Sequence, residues 1–171
     1  MMTDFFDNQL PTASANLLLA TRCFGRVTAF PHVLMRRVLA TFAETSYDEV
    51  IQDLSSRQFI VAEGKEVFDI SRQGWDWLGY KKVPTSIWLG AVKALVETVP
   101  ASRATGDHTI LDLMVIHAAA LANTFYQRDK QIYLHLMGLS VECLIDLGRL
   151  DEAQHQLDML QSLAEEMKDA E

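Results

Sequence analysis

Five histidines, two cysteines and a short run of carboxylates after Ser46 are the residues of this chain best able to do chemistry, and their spacing limits which chemistry is open. His32, His108, His117, His135 and His155 stand apart: no His-Glu-x-x-His puts two imidazoles one helical turn apart, and no Cys-x-x-Cys offers paired thiolates. No Gly-x-Ser-x-Gly elbow presents a nucleophile. No Gly-x-x-x-x-Gly-Lys-[Ser/Thr] loop can cradle phosphates, so ATP hydrolysis is not expected. Cys23 and Cys143 lie in apolar helical runs, where a thiol behaves as a small hydrophobe, and are read as buried and unpaired. The expectation is a chain with no enzymatic activity, no metal and no cofactor.

Recognition is the chemistry that remains, and two sets of side chains are candidates for it. A helix starting at Tyr47 should turn Tyr47, Asp48, Gln52, Ser55 and Ser56 to solvent, with Glu49 and Asp53 nearby and Arg57 at its end. Arg22, Arg26, Arg36, Arg37, Lys65 and Arg72 could assist it against nucleic acid, and Lys81 and Lys82 follow. From these, Arg26, Arg36, Arg37, Gln52, Arg57 and Lys65 are the candidate nucleic-acid contacts. One carboxylate in a reading helix can accept from cytosine N4, but three repel phosphates unless they are neutralised. The second set is aromatic: Trp75, Trp77, Tyr80 and Trp88, with Tyr126 and Tyr133 further on, are the candidate partner contacts. The cluster from Trp75 to Trp88 is read first as cement between two modules and second as a binding pocket.

The elements that must position these groups follow from periodicity and caps. Thr12 or Ser14 is expected to cap a first helix through Ala15, Leu18, Leu19 and Cys23, ended by Gly25. Val27 and Thr28 suit a brief extended segment. Pro31 fits the first turn of a second helix running to about Phe42, with Val33, Leu34, Val38 and Phe42 as its buried stripe. Ser46 and Glu49 have the spacing of a capping box for the third helix, whose Val50, Ile51 and Leu54 share a face. Phe59, Ile60 and Val61 read as a strand, Glu63 and Gly64 as its turn, and Val67, Phe68 and Ile70 as the return strand. Ser71 should cap a last helix carrying Trp75, Trp77 and Leu78.

The segment GYKKVP at residues 79–84 marks a module boundary, and everything beyond it reads as helical. Residues 86–99 form a helix, PASRATGD at 100–107 a loop, and 109–126 a long, nearly apolar helix interrupted by Asp112, His117 and Asn123. Residues 131–147 and 151–167 complete an antiparallel pair.

At 171 residues, 49% hydrophobic and 22% charged, the chain has the balance of an ordered globular protein with one good-sized core or two small ones. It opens MMTDFFDNQL, without a basic segment before an apolar stretch, and no apolar run reaches membrane-span length; no membrane association and a cytoplasmic location are expected. The net charge of −8 is uneven: residues 1–80 hold seven basic and ten acidic side chains, 81–130 six and four, and 131–171 two and nine. An acidic chain lacks the phosphate attraction that supplies most nucleic-acid affinity, which favours a protein partner.

Residues 13–79 resemble a winged-helix domain, on the run Leu54, Arg57, Phe59, Ile60, Gly64, Phe68, Ile70, Ser71, Gly74, Trp77 and Leu78. The last helical pair resembles a tetratricopeptide repeat, on the phrase DLGRLDEA, with Gly148 in the turn, Leu150, Ala153 at the helix crossing, and Leu157 and Leu160 on the inner face. The combination is also similar to the middle of signal-transduction ATPases, from which this chain departs by lacking the phosphate-binding loop. The resemblances imply a mainly α chain: a winged helix over 1–79, helices plus a short β-hairpin, then a tetratricopeptide-like antiparallel helical array over 80–171. They imply a regulatory adaptor acting through a protein partner or larger assembly. A DNA-binding regulator whose helical domain dimerises or binds an effector is the second reading, and self-association stays open.

Overall fold

A computed structural model describes residues 10–26, 29–79 and 81–169. The chain is mainly helical, with a small three-stranded antiparallel sheet. It divides into two units, Met1–Thr98 and Val99–Glu171.

In the first unit, α1 (Thr12–Thr21) runs into one 3-10 turn, Arg22–Phe24, and stops at Gly25, whose φ of 71° reverses the chain. Pro11 stands at the N-cap, so neither Thr12 nor Ser14 caps this helix; Ser14 Oγ instead donates to Asp53. The expected extended segment at Val27 and Thr28 lies outside the described residues. A two-residue strand, β1 (Phe30–Pro31), follows and leads into α2 (His32–Ala40). Pro31 is thus an edge-strand residue and N-cap rather than part of the helix, a place where its missing N–H disturbs no ladder bond. Leu34, Met35, Val38 and Leu39 are buried, whereas Val33, expected in the buried stripe, is 39% exposed.

α3 (Tyr47–Ser56) starts where expected, but Ser46 makes no side-chain cap bond. The carboxylates of Asp48 and Glu49 in the first turn favour this helix end through the dipole instead. The hairpin β2 (Ile60–Glu63) and β3 (Val67–Ile70) turns through Gly64 at φ 81°. β3 lies between β1 and β2, pairing Phe68 with Phe30 on one side and Ile70 with Ile60 on the other. Phe30 stacks on Phe68 at 5.7 Å between ring centroids. α4 (Arg72–Leu78) is capped by Ser71, whose Oγ accepts from Gly74 N at 3.0 Å and donates to Gln58 O. α1 packs on α2, α3 and α4, burying Leu17, Leu18, Leu34, Leu54, Phe68 and Leu78 in one core.

α5 (Thr85–Thr105) is longer than expected: the helix continues through Pro100, and the predicted loop shrinks to Gly106 and Asp107. Proline inside a helix removes one hydrogen bond and crowds the preceding turn, at about 3 kcal/mol. Val99 and Ser102 on either side of Pro100 are buried. The division between the units falls inside this helix, after Thr98, and the boundary expected at residues 79 and 80 lies within the first unit. In that unit Gly90 sits against Thr41, and Arg37 pairs with Glu97 at 3.6 Å.

The second unit holds α6 (His108–Phe125), α7 (Lys130–Asp146) and α8 (Leu150–Asp169). Asp107 caps α6 by accepting from Thr109 N and Ile110 N, and Asp129 caps α7 by accepting from Gln131 N and Ile132 N. Gly148, at φ 73°, reverses the chain between α7 and α8. α6 packs along α7, and α7 along α8. Among the described residues α6 alone is long and apolar enough to cross a membrane by length and composition. Its Leu111, Met114, Ala118, Leu121 and Ala122 are buried inside the protein.

Candidate functional site

Of the three carboxylates expected bare on the surface of α3, two are neutralised within the unit. Arg36 Nη2 donates to Asp48 Oδ1 at 3.0 Å, and Arg57 Nε donates to Asp53 Oδ1 at 2.7 Å. Asp53 also accepts from Ser14 Oγ at 2.7 Å, which ties α3 to α1. Arg36 lies 4.7 Å over the Tyr47 ring. Tyr47 itself, expected on the solvent face, is buried because it turns under Arg36 toward His32. Its hydroxyl is 2.8 Å from His32 Nδ1. Burial pushes the Tyr47 phenol up, and burial followed by Arg36 holds the His32 imidazole below its ordinary value, with Glu66 and Asp48 opposing. With the phenol protonated and the imidazole neutral, the Tyr47 hydroxyl can donate to an unprotonated Nδ1.

Asp48, Glu49, Gln52, Ser55 and Ser56 stay exposed on α3. Of the basic candidates, Arg36, Arg37 and Arg57 are engaged by Asp48, Glu97 and Asp53. Lys65 is exposed in the β2–β3 turn, and Arg26 is exposed beyond Gly25. The structure therefore gathers Arg36, Gln52 and Arg57 around α3 but pairs its arginines internally.

Among the aromatic candidates, Trp77 packs edge-on against Phe59 at 6.2 Å between ring centroids, and Lys81 Nζ lies 4.8 Å over its ring. Trp75 lines a cleft of about 430 Å³ with Arg22, Gly25, Arg26, Asp76, Leu78 and Gly79. Arg22 has a role there that periodicity did not reveal: its guanidinium donates to the carbonyl of Leu78, the last residue of α4, and to that of Lys81 beyond it. Trp88 is half-buried on α5, and Tyr80 lies outside the described residues. In the second unit Tyr126 and Tyr133 form a T-shaped pair at 5.1 Å, Tyr126 exposed and Tyr133 buried. Burial, then the neighbouring Tyr126, pushes the Tyr133 phenol up.

Two arginine clamps of the second unit also escaped the sequence reading. Arg103 on α5 bridges Glu142 and Asp146 on α7, and Arg149, before α8, bridges Asp112 on α6 and Glu152. The spacing of Glu142 and Asp146 at i, i+4 is a signal for such a clamp, but nothing local selects Arg103 as the partner. Cys23 and Cys143 are both buried free thiols. Among the described residues no group of three or more His, Cys, Asp or Glu side chains is placed to hold a metal ion.

Compared with known proteins, the chain matches no family model, no curated protein and no solved structure.

Proposed function

We propose that this chain is a non-enzymatic, cytoplasmic regulatory adaptor that works by protein association, its first unit a winged helix and its second a short tetratricopeptide-like array. The winged-helix reading rests on element order, with a helix, a short strand, two helices, a hairpin and a closing helix, and on the sheet order β1-β3-β2. The repeat-like reading rests on the antiparallel α7–α8 pair, turned by Gly148 and brought close at buried Ala153.

The observation that carries the functional reading is the internal pairing around α3. A DNA reader needs cations free to replace phosphate counterions, whereas Arg36 and Arg57 already serve Asp48 and Asp53. Glu49 remains exposed beside them, so the local balance is one negative charge.

Titration of the full chain with a fluorescein-labelled duplex of mixed sequence, over a series of salt concentrations, tests this. The expected result is no micromolar binding at physiological salt and no effect of Arg36→Glu with Arg37→Glu. Micromolar binding with a steep salt slope that this double variant abolishes would establish the DNA-binding reading in its place.

A further inference from the structure

The α7–α8 hairpin has an open side. Leu157, expected on the inner face, is 43% exposed, and Leu150 at the start of α8 is 61% exposed. Leu150, Leu157 and Ala164 recur every seven residues and so form one row along α8. Asp151, Asp158 and Glu165 form the adjacent row with the same repeat. On α7, Leu134, Gly138 and Ile145 share a face by their spacing; Ile145 is 48% exposed, and a Cβ built on Gly138 would meet nothing within 4 Å. Toward the far end of the hairpin, Gln131 and Leu134 join Ala164, Met167 and Lys168 around an open groove of about 260 Å³. From Leu150 to Ala164 the row is about 21 Å long at 1.5 Å per residue, the length of a four-turn helix.

We infer that this open side seats an amphipathic helix of a partner protein, its apolar stripe against Leu134, Leu157 and Ala164 and its lysines or arginines beside Asp151, Asp158 and Glu165. The inference rests on the adaptor reading and adds the docking face and the partner's chemistry. Charge selects the occupant. The acidic row has no ion pair among the described residues; Asp158 and Glu165 are held only by neutral amides, Gln154 at 2.7 Å and Gln161 at 2.9 Å. Residues 131–171 carry nine acidic and two basic side chains, so a second copy would set like charge against like, whereas a basic helix supplies the missing countercharge.

Two synthetic helical peptides of about four turns test this by fluorescence anisotropy with the full chain, sharing one leucine stripe and differing only in Lys or Glu flanks. The Lys peptide is expected to bind at least about tenfold more tightly than the Glu peptide, with the preference fading as salt rises. Leu157→Asp is expected to weaken the Lys peptide by about tenfold or more, and Asp158→Lys with Glu165→Lys to reverse the preference. All these positions are exposed, and circular dichroism checks that each variant keeps its helices. Equal binding of the two peptides, binding of neither, or an unchanged Lys-peptide affinity in Leu157→Asp overturns the inference. So does a wild-type dimer, seen by light scattering, that Leu157→Asp disperses, because a second copy then occupies the face. Affinity capture separates the two levels: a partner captured equally by wild type and Leu157→Asp leaves the adaptor reading standing without this face. Capture of no protein, together with salt-dependent duplex binding, removes the adaptor reading itself.

Discussion

Replacing Gly74 with alanine sets helix propensity against packing, and the structure says which prevails. Alanine in a helix interior is favoured over glycine by about 1 kcal/mol, so α4 by itself would gain from the change. A Cβ at position 74, however, would sit 2.4 Å from the carbonyl oxygen of Phe59 and 2.7 Å from Ile70 Cγ2. The Ile70 methyl can rotate away. The Phe59 oxygen cannot, because it accepts from Ser71 N at 3.0 Å and so fixes the start of α4 against the hairpin. Relief of about 1 Å of overlap must move the helix off the strand. Overpacking of this kind costs about 1–3 kcal/mol, and losing the Ser71–Phe59 bond adds about 1 kcal/mol. Net of propensity, Gly74→Ala should destabilise the first unit by about 1–3 kcal/mol. All three tryptophans, Trp75, Trp77 and Trp88, belong to that unit, so intrinsic fluorescence in urea follows its unfolding selectively. With a slope of about 1–2 kcal/mol per molar, the midpoint should fall by about 1 M. A midpoint that is unchanged or raised would refute the close approach of α4 to Phe59 and the reasoning built on it.

In the second unit the same substitution should have the opposite sign: Gly138→Ala meets open space and is expected to raise stability by about 0.5–1 kcal/mol, read by far-UV circular dichroism in urea. His32 is the one histidine of the first unit, and its folded imidazole is held below the ordinary value, chiefly by burial. Its contribution to stability is therefore complete above the ordinary imidazole range and is lost as pH falls through it toward the folded value. The tryptophan-detected midpoint should drop between about pH 7.5 and pH 5.5 in wild type and drop less in His32→Gln; equal drops would exclude His32 as the source. Burial pushes the Cys143 thiol up to about 11 and the Cys23 thiol further. Neither should react with a disulfide reagent at about pH 8 in the native protein, and both should react after urea unfolding; fast native labelling of either would contradict their burial.

Local chemistry carried much of the fold. Period-3.6 stripes placed the three helices α6, α7 and α8 to within a residue or two. The hairpin was legible because Phe59, Ile60 and Val61 and then Val67, Phe68 and Ile70 flank a glycine turn, and Ser71 was legible as a cap because its cap bond is local, accepting from Gly74 three residues away. Local signals misled at two places. Ser46 has the right spacing for a capping box and makes no cap bond, and Pro100 has the right residue type for a helix stop and sits inside α5. The candidate surfaces divide in the same way. Composition exposed the acidic character of residues 131–171, and residue spacing the absence of a His-Glu-x-x-His, Cys-x-x-Cys, Gly-x-Ser-x-Gly or phosphate-loop motif.

Which charges remain available was decided only in three dimensions. Arg36 and Asp48 are twelve residues apart, Arg103 and Asp146 forty-three, and Ser14 and Asp53 thirty-nine, separations over which spacing in the sequence carries no pairing information. The same holds for exposure: Leu157 belongs to the apolar stripe of α8 by type, and only the packing of α7 on that helix left it at the open edge. Side-chain type and period thus determined the elements and the total charge of this protein. Long-range pairing, which depends on where folded elements come to rest, determined that Asp48 and Asp53 on α3 are neutralised from within while, among the described residues, the outer row of α8 has no ion pair.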